Sequence, residues 1–424
     1  MKFISDFHLH SKYSRATSRD FDLEKISQWA RIKGIKVIGS GDFTHPLWFQ
    51  GLKEKLEPAG PGLFKLKRED NGILFVLTSE ISCIYTKKNK VRKIHVLILA
   101  PSLEAVAEIN KRLGALGNLK SDGRPILGID VKELLKIVLA VSSDCLFVPA
   151  HCLTPWFSIF GSKSGFDSVE ECFEELSPCI FALESGLSAD PAMLWRIPDG
   201  RKLCIISNSD AHSAEKLGRE ANVFDTDLDY FSIVQAIKLK DPAKFLYTIE
   251  FYPEEGKYHY DGHRLCQVCL SPEEAERYNE LCPVCGRPLT IGVANRSVKI
   301  SDKEQGFTPE KAIPFKKMVP LKEIIAESLD KGISSLAVKK EYDKLIKTFD
   351  SEFNVLLDAS IEEIGRASSQ LIGEGVKKVR EGKLSISPGF DGEFGKVSIF
   401  SSQKERTKTA QKLLSAETSK RTKK

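Results

Sequence analysis

Seven short runs rich in aliphatic and β-branched residues mark out the first half of the chain, at 2–7, 35–41, 73–79, 92–100, 145–150, 180–183 and 203–208. Between many of them apolar positions recur at the helical period, in Leu23–Lys33, Leu103–Leu113, Asp130–Val141 and Val169–Leu176. Strand and helix alternating in this way predict an α/β fold whose sheet is largely parallel and covered on its outside. A barrel of about seven strands would let residues about 200 positions apart meet at the C-terminal rim, where α/β barrels build their sites.

Near residue 250 the pattern changes. Pro253–Gly262 is polar and turn-rich and reads as a linker. From about residue 296 the chain is helical in character, with apolar positions three or four apart in Leu321–Leu329, Val338–Phe349, Phe353–Ile364 and Ser368–Val379. Ser334 and Ser335 before Leu336, and Ser351 before Phe353, are candidate caps. Pro388–Gly395 is a turn and Lys396–Phe400 a closing strand. The expected organisation is a barrel over 1–250, a linker and small module over 251–295, a helical domain over 296–400 and a tail over 401–424.

Composition narrows the class. Charged residues at 29% and hydrophobic residues at 42% are ordinary for a soluble globular protein. No apolar run reaches the length of a membrane span, and Met1 leads straight into the first strand, so a cytoplasmic protein with no membrane partner is expected. The tail carries eight Lys/Arg against Glu405 and Glu417. It is expected to be disordered and able to hold phosphates without reading sequence. Four of the ten cysteines form the pairs Cys266-x-x-Cys269 and Cys282-x-x-Cys285. Four thiolates in two knuckles predict one structural zinc, with Gly286 permitting the second tight turn. His259 and His263, just upstream, read as surface residues.

The candidate chemistry lies at the strand ends. His8 and His10, at i and i+2, present two imidazoles to one side of the first strand's end. Later runs finish on or beside Asp42 and His45, Glu80, His151, Glu184, Asp210 and His212, and His95 sits inside the run 92–100. Six of the eight histidines fall on this ring, which favours a divalent metal site over scattered surface residues. Phosphodiester hydrolysis suits that composition, since paired ions supply a hydroxide and neutralise the phosphate. Glu80 is the natural bridging carboxylate, while Asp42 or Asp210 could instead orient imidazoles. In Pro149–Gly165, Trp156 and Phe157 could be platforms for a base and Lys163 could meet a phosphate, or the segment is a lid packed on the barrel. Glu184 is a further candidate substrate contact. Asp190 overhangs the same rim as an acid or base, or as a cap before Pro191. Trp48 and Phe49 read as core.

The ordered elements His8-x-His10, Asp42, Glu80, His95, His151 and Asp210-x-His212 resemble those of the PHP (polymerase and histidinol phosphatase) family. The resemblance implies a distorted (β/α)7 barrel that hydrolyses phosphoesters with two or three divalent ions, zinc or else manganese or magnesium. It places His8, His10, Glu80 and Asp210 on one ion, lets Glu80 bridge to a second held by His95 and His151, and gives His212 to a third. Phe43 stands where many relatives carry histidine, and Lys12 and Ser14 lie near the place of another, so a third ion rests on Asp42 or His45. Glu80, Asp190 and Asp210 are the candidate catalytic residues. A barrel joined to a four-cysteine zinc module and a helical domain resembles a DNA-repair branch of the family. That implies nicking 5′ to deaminated bases (uracil, hypoxanthine, xanthine) or abasic sites, with the base flipped into a pocket beside the metals. Damaged duplex or single-stranded DNA is the expected partner, with a sliding clamp or a helicase as further candidates. The alternatives are a phosphoesterase acting on a small phosphomonoester and a non-catalytic nucleic-acid adaptor, which near-complete retention of the ligand set disfavours.

Overall fold

The computed structural model describes residues 1–68 and 71–411. Its strands are β1 (Lys2–Asp6), β2 (Val37–Gly39), β3 (Leu56–Gly60), β4 (Leu63–Leu66), β5 (Leu74–Lys87), β6 (Lys90–Ala100), β7 (Ile126–Leu127), β8 (Leu146–Pro149), β9 (Ala182–Glu184), β10 (Cys204–Ile206), β11 (Ala221–Asp225) and β12 (Phe245–Glu250). After them come β13 (Asp261–His263), β14 (Val268–Leu270), β15 (Phe315–Lys317), β16 (Ser385–Ser387) and β17 (Lys396–Ser398). One large sheet runs β15-β12-β11-β1-β2-β5, continues through β6 to β8, and carries the β3–β4 hairpin on β5. The parallel pair β9–β10 follows beside β8, tied by the Cys152 amide to the Glu184 carbonyl at 2.9 Å. On the other side, Ser207 at the end of β10 exchanges bonds with the Asn222 amide and reaches the Ile249 carbonyl at 3.1 Å.

Alternation explains why the strands read as continuous apolar runs. Val37, Val76, Leu97, Leu99, Leu146 and Val148 point to one cluster, which they share with Phe7, Ile206 and Phe224 and with the helix Tyr230–Leu239. Their neighbours Ile38, Phe75, Leu77, Val96, Ile98 and Phe147 point to the other, under Ile26, Leu52, Ile109 and Leu134 of the outer helices. With both faces covered, neither can be polar.

The sheet is less parallel than the sequence predicts. Residues 73–79 and 92–100, read as separate runs, are the arms of one long antiparallel hairpin, β5–β6, in register from Leu77↔Ala100 to Lys87↔Lys90. Its turn residues Lys88 (φ 51°) and Asn89 (φ 59°) are both left-handed, the geometry of a two-residue hairpin loop that only antiparallel neighbours can use. The pair β1–β11 is antiparallel as well.

The C-terminal helices also depart from expectation. Phe353–Ile364 is two elements, a π-helical turn at Asn354–Asp358 and a helix at Ile361–Ala367. Ser360 and Glu363 form a reciprocal capping box that starts the second helix, so the pattern breaks at Ala359. Residues 403–411 are helical, and Arg406 pairs with Asp330 at 2.7 Å, so this part of the expected disordered tail is docked. Residues 412–424 lie outside the described residues. Among the described residues no helix is long and apolar enough to cross a membrane.

The N-terminal α/β part and the C-terminal helices are joined by a buried ion pair. Lys33, at the end of the helix Leu23–Lys33, meets Glu352 at 2.7 Å, and Glu352 also accepts from the Tyr342 hydroxyl and the Leu321 amide. Burial alone would raise the Glu352 carboxyl, but Lys33 overrides it and holds the group below its usual range. Lys33→Met should leave that carboxylate uncompensated at a cost of about 3–5 kcal/mol, read as a lower urea midpoint. Because the folded carboxyl is depressed, the pair stabilises above the ordinary carboxylate range and its contribution is lost as pH falls below about 4.

Candidate metal centre

The end of β1 is fastened before it turns into the site. The Asp6 carboxylate accepts the amides of Ser209 and Gly218 at 3.1 and 3.0 Å, and the Phe7 amide donates to the Asn208 side chain at 2.8 Å. Beyond it Phe7 and Leu9 point into apolar core while His8 and His10 point the other way, as strand parity requires. Both imidazoles offer Nε2 to one place, where Glu80 Oε2 lies at 3.5 and 3.2 Å and Asp210 Oδ1 at 3.6 and 3.0 Å.

Glu80 projects from β5, fully enclosed. Its second oxygen, Oε1, faces His95 Nδ1 at 2.7 Å and His151 Nε2 at 3.1 Å. One carboxylate thus joins two donor sets, His8–His10–Glu80–Asp210 and Glu80–His95–His151, each with its ligand atoms within 4.8 Å of one another. Three of the inward atoms, His8 Nε2, His10 Nε2 and Asp210 Oδ1, are buried without a hydrogen-bond partner. Buried polar atoms are rarely left so, and a divalent cation between them satisfies all three. The donor set therefore fits divalent metal ions.

The outer ring nitrogens are held from behind. Both Glu184 oxygens lie 3.0 Å from His8 Nδ1, and Glu184 also accepts the His151 amide and the Asn208 side chain at 2.9 Å. Asp42 faces His10 Nδ1 at 3.1 Å through Oδ1, and its Oδ2 takes Ser11 N, Ser11 Oγ and Ser14 Oγ at 2.6–2.8 Å. Thr154 Oγ1 lies 2.8 Å from His151 Nδ1. Such partners fix the ring orientation and aim Nε2 at the ion. Asp42, His151 and Asp210 adopt left-handed backbone (φ 45°, 30° and 47°), a conformation that non-glycine residues hold at a cost of about 1 kcal/mol or more.

Charge points the same way. Burial disfavours protonated His8, but Glu184, Glu80 and Asp210 outweigh it and raise the imidazole well above its usual range. His10 behaves alike, with Asp42 foremost among the groups opposing burial. Burial drives His95 down to about 4. The surrounding carboxylates ask for positive charge that a cation supplies.

Several expected residues stand elsewhere. Glu184 is buried behind His8 and makes no substrate surface, and Asp42 backs His10 with both oxygens engaged instead of entering either donor set. Asp190 caps the helix Pro191–Leu194 through the Met193 amide and pairs with Lys317 at 2.8 Å, outside both sets. His212 lies beside His10, ring centroids 4.4 Å apart, but joins neither set, and His45 stacks on Tyr13. Phe157 tilts over His95 at 4.7 Å, and its carbonyl accepts the His95 amide. Lys163 is exposed. Arg124, which sequence reasoning missed, donates to Glu80 Oε2 at 2.9 Å, and Glu80 raises its already high pKa further. It follows no strand, so only its place in the Ser121–Pro125 turn could have flagged it.

Beside the His151–Thr154 turn opens a cleft of about 600 Å³ whose walls include Thr154, Trp156, Lys216, Arg219, Tyr258 and Glu323. Trp156 is 40% exposed and meets Tyr258 edge to face at 5.6 Å. In the small module the atoms brought together belong to His263, Cys266, Cys282 and Cys285, with His263 Nδ1 at 3.4 Å from Cys285 Sγ, while Cys269 Sγ lies 3.9 Å from the Pro388 carbonyl. His259, read as a surface residue, is buried at 6% exposure and stacks on Tyr260.

Comparison with known proteins places this geometry. Residues 320–383 match the family described as the MJ0043 C-terminal domain. The uncharacterized protein MJ0043 of Methanocaldococcus jannaschii is 36% identical over 277 residues, and the match covers 62% of this chain but only 34% of that protein. The uncharacterized protein YqxK of Bacillus subtilis is 28% identical over 415 residues, covering 93% of this chain and 99% of that protein. The crystal structure of the lesion-specific endonuclease PfuEndoQ from Pyrococcus furiosus matches with a TM-score of 0.84 and 32% identity, covering 95% of this chain and 96% of that one. Endonuclease Q bound to a 27-mer duplex with an abasic lesion at its active site matches with a TM-score of 0.82 and the same identity, covering 95% of this chain and 97% of that one.

Asp42→Asn and Glu184→Gln should each weaken metal affinity roughly 10–100-fold without unfolding the chain, as measured by calorimetric titration of the apoprotein with zinc. Behind the centre, burial beside Glu220 and Asp190 raises Glu250 to about 8. A raised carboxyl stabilises fully below the unfolded value of about 4.3, and that contribution is lost as pH climbs through 8. Glu250→Gln should therefore flatten the fall in thermal stability between about pH 5 and 8, as read by melting temperature across buffers.

Proposed function

Because the chain belongs to the endonuclease Q family, we propose that it is a metal-dependent DNA-repair endonuclease that nicks one strand 5′ to a deaminated base or an abasic site. Uracil, hypoxanthine and xanthine are the bases proposed. The observation that carries this reading is the single carboxylate of Glu80 between two sets of imidazoles, beside an open cleft large enough for a nucleotide. The proposed layout puts the catalytic barrel in residues 1–250, a zinc module in 251–295 and a helical domain in 296–400.

His8, His10, Glu80 and Asp210 would hold one ion, and Glu80, His95 and His151 a second. Bound there, divalent ions would supply a hydroxide near neutral pH and offset charge on the attacking and leaving oxygens. The rest belongs to the chain. Asp42, Glu184 and Thr154 keep three imidazoles aimed, so the ligands need no rearrangement at the moment of reaction. Arg124, in contact with Glu80, adds a fixed positive charge at the rim where a phosphate would lie.

A base must leave the stack to be judged, and the cleft offers it Trp156 and Tyr258 as apolar walls with Lys216 and Arg219 as donors. Deamination replaces an amino group by a carbonyl, so a donor-lined wall favours the damaged base over its parent. An abasic site presents no base to refuse.

Labelled duplexes bearing one uracil, hypoxanthine or abasic site should be nicked beside the lesion, and EDTA or Glu80→Ala should abolish the product. Trp156→Ala should lower cleavage of base-bearing lesions roughly tenfold, the equivalent of one lost stacking contact, and affect abasic cleavage less. Equal cutting of undamaged duplex would remove the repair assignment and leave the nuclease one. Turnover of nitrophenyl phosphate with no cutting of DNA would instead favour a phosphomonoesterase.

A further inference from the structure

Resting on the nuclease reading above, we propose that Arg124 makes an ion in the His8–His10–Glu80–Asp210 set and a substrate phosphate load together. It opposes the ion while the rim is empty and favours it once a phosphodiester is bound. One oxygen is contested. Glu80 Oε2 faces Nε2 of His8 at 3.5 Å and of His10 at 3.2 Å, and Arg124 donates to the same atom through Nη1 at 2.9 Å. An ion in that set and the guanidinium therefore compete for a single carboxylate oxygen.

Arg124 cannot easily withdraw, because the turn that carries it is fastened on both sides. The Asp122 carboxylate accepts the Arg124 amide at 3.1 Å and pairs with Arg15 at 3.2 Å. The Gly123 amide donates to the Tyr13 carbonyl at 3.0 Å, and the Gly123 carbonyl accepts the Thr44 hydroxyl at 3.2 Å. A side chain on Gly123 would collide with the Asp42 carboxylate and the Ser14 hydroxyl, the groups that lie beside His10 Nδ1, so only glycine lets the turn come this close. Beyond the arginine, the Ser82 amide donates to the Pro125 carbonyl at 3.0 Å and Ile126 pairs with Ser82 of β5. The backbone around Arg124 is thus tied both to the strand that carries Glu80 and to the segment that carries His10.

A guanidinium has five N–H donors in a rigid fork. Among the described residues only Nη1 of Arg124 finds a side-chain acceptor, Nε and Nη2 make no hydrogen bond, and none of the three nitrogens is a buried orphan. The side chain is 28% exposed, so one part of the fork meets Glu80 and the rest faces the opening. A divalent ion on Oε2 brings a second positive charge against the guanidinium, and with no anion present the two repel. A phosphodiester reverses the sign, since the free half of the fork suits phosphate oxygens and the anion offsets both cations. Ion and phosphate then strengthen each other's binding by the same factor. A residue that merely shaped the site would act otherwise, because its loss would weaken the ion with or without phosphate.

Calorimetric titration of the full-length protein with zinc, after its barrel ions are stripped, tests this without turnover when run with and without dimethyl phosphate at constant ionic strength. Dimethyl phosphate should tighten zinc binding by the parent roughly tenfold. Arg124→Gln should bind zinc roughly tenfold more tightly than the parent in the absence of dimethyl phosphate and gain nothing from its addition. Arg124→Lys, which keeps the charge and loses the fork, should match the parent without dimethyl phosphate and gain less from it. An Arg124→Gln protein that binds zinc more weakly in both conditions, or either variant responding to dimethyl phosphate as fully as the parent, would overturn the proposal. Nicking of an abasic duplex is scored separately. EDTA-sensitive nicking by a parent whose zinc affinity ignores dimethyl phosphate sinks the linkage and spares the repair reading, whereas linkage without nicking of any duplex supports the linkage and sinks the repair reading.

Discussion

Everything at the candidate metal centre depends on how one carboxylate is shared. Glu80 is fully buried, and an isolated carboxylate there would be protonated or would unfold its surroundings. It stays ionised because His8, His10, His95, His151 and Arg124 all reach it, so its pKa lies well below the usual range despite burial. The same condition makes it a bridge. A charge surrounded by imidazoles whose free nitrogens converge is held for cations, and the protein pays for it with Asp42, His151 and Asp210 in left-handed backbone.

That constraint explains what lies behind the ligands. Each imidazole must present one nitrogen inward, so the other needs a fixed partner, and Glu184, Asp42 and Thr154 fill that need for His8, His10 and His151. Glu184 also takes the His151 amide and Asn208, so one buried side chain at the end of β9 positions groups from the segments after β1, β8 and β10. The curved sheet supplies the convergence, and the carboxylates convert it into geometry.

The sequence made part of this legible. Candidate metal ligands were readable because His8, His10, His151 and Asp210 follow strand ends while Glu80 and His95 lie inside β5 and β6, so parity and position limit where each side chain can point. The two donor sets contain His8, His10, Glu80, His95, His151 and Asp210, each visible as a histidine or acid beside an apolar run. Supporting roles were not readable, since whether Glu184 faces a substrate or the back of His8 depends on a neighbour 176 residues away. The β5–β6 hairpin was obscured because its middle, Glu80–Val91, carries polar side chains at the rim and broke one element into two apparent runs. The split at Ala359 was encoded in Ser360 and Glu363, but a period of three to four runs through it unbroken.

The cleft could not have been found from any single stretch. Its walls come from the Thr154–Trp156 turn, the Lys216–Arg219 segment, Tyr258 beside the small module and Glu323 in the first C-terminal helix. Arg296 ties that assembly to the segment after β8, reaching the carbonyls of Phe160 and Phe166 at 2.7 and 2.9 Å and so fastening the turn that carries Trp156. A pocket divided among separate parts of the chain forms only when those parts are docked. The proposed selectivity for an extruded nucleotide would then rest as much on contacts such as Lys33–Glu352 and Arg296–Phe160 as on the walls themselves. A change that loosens docking would then erode the proposed discrimination before it touches the two donor sets, because their residues all lie between His8 and Asp210.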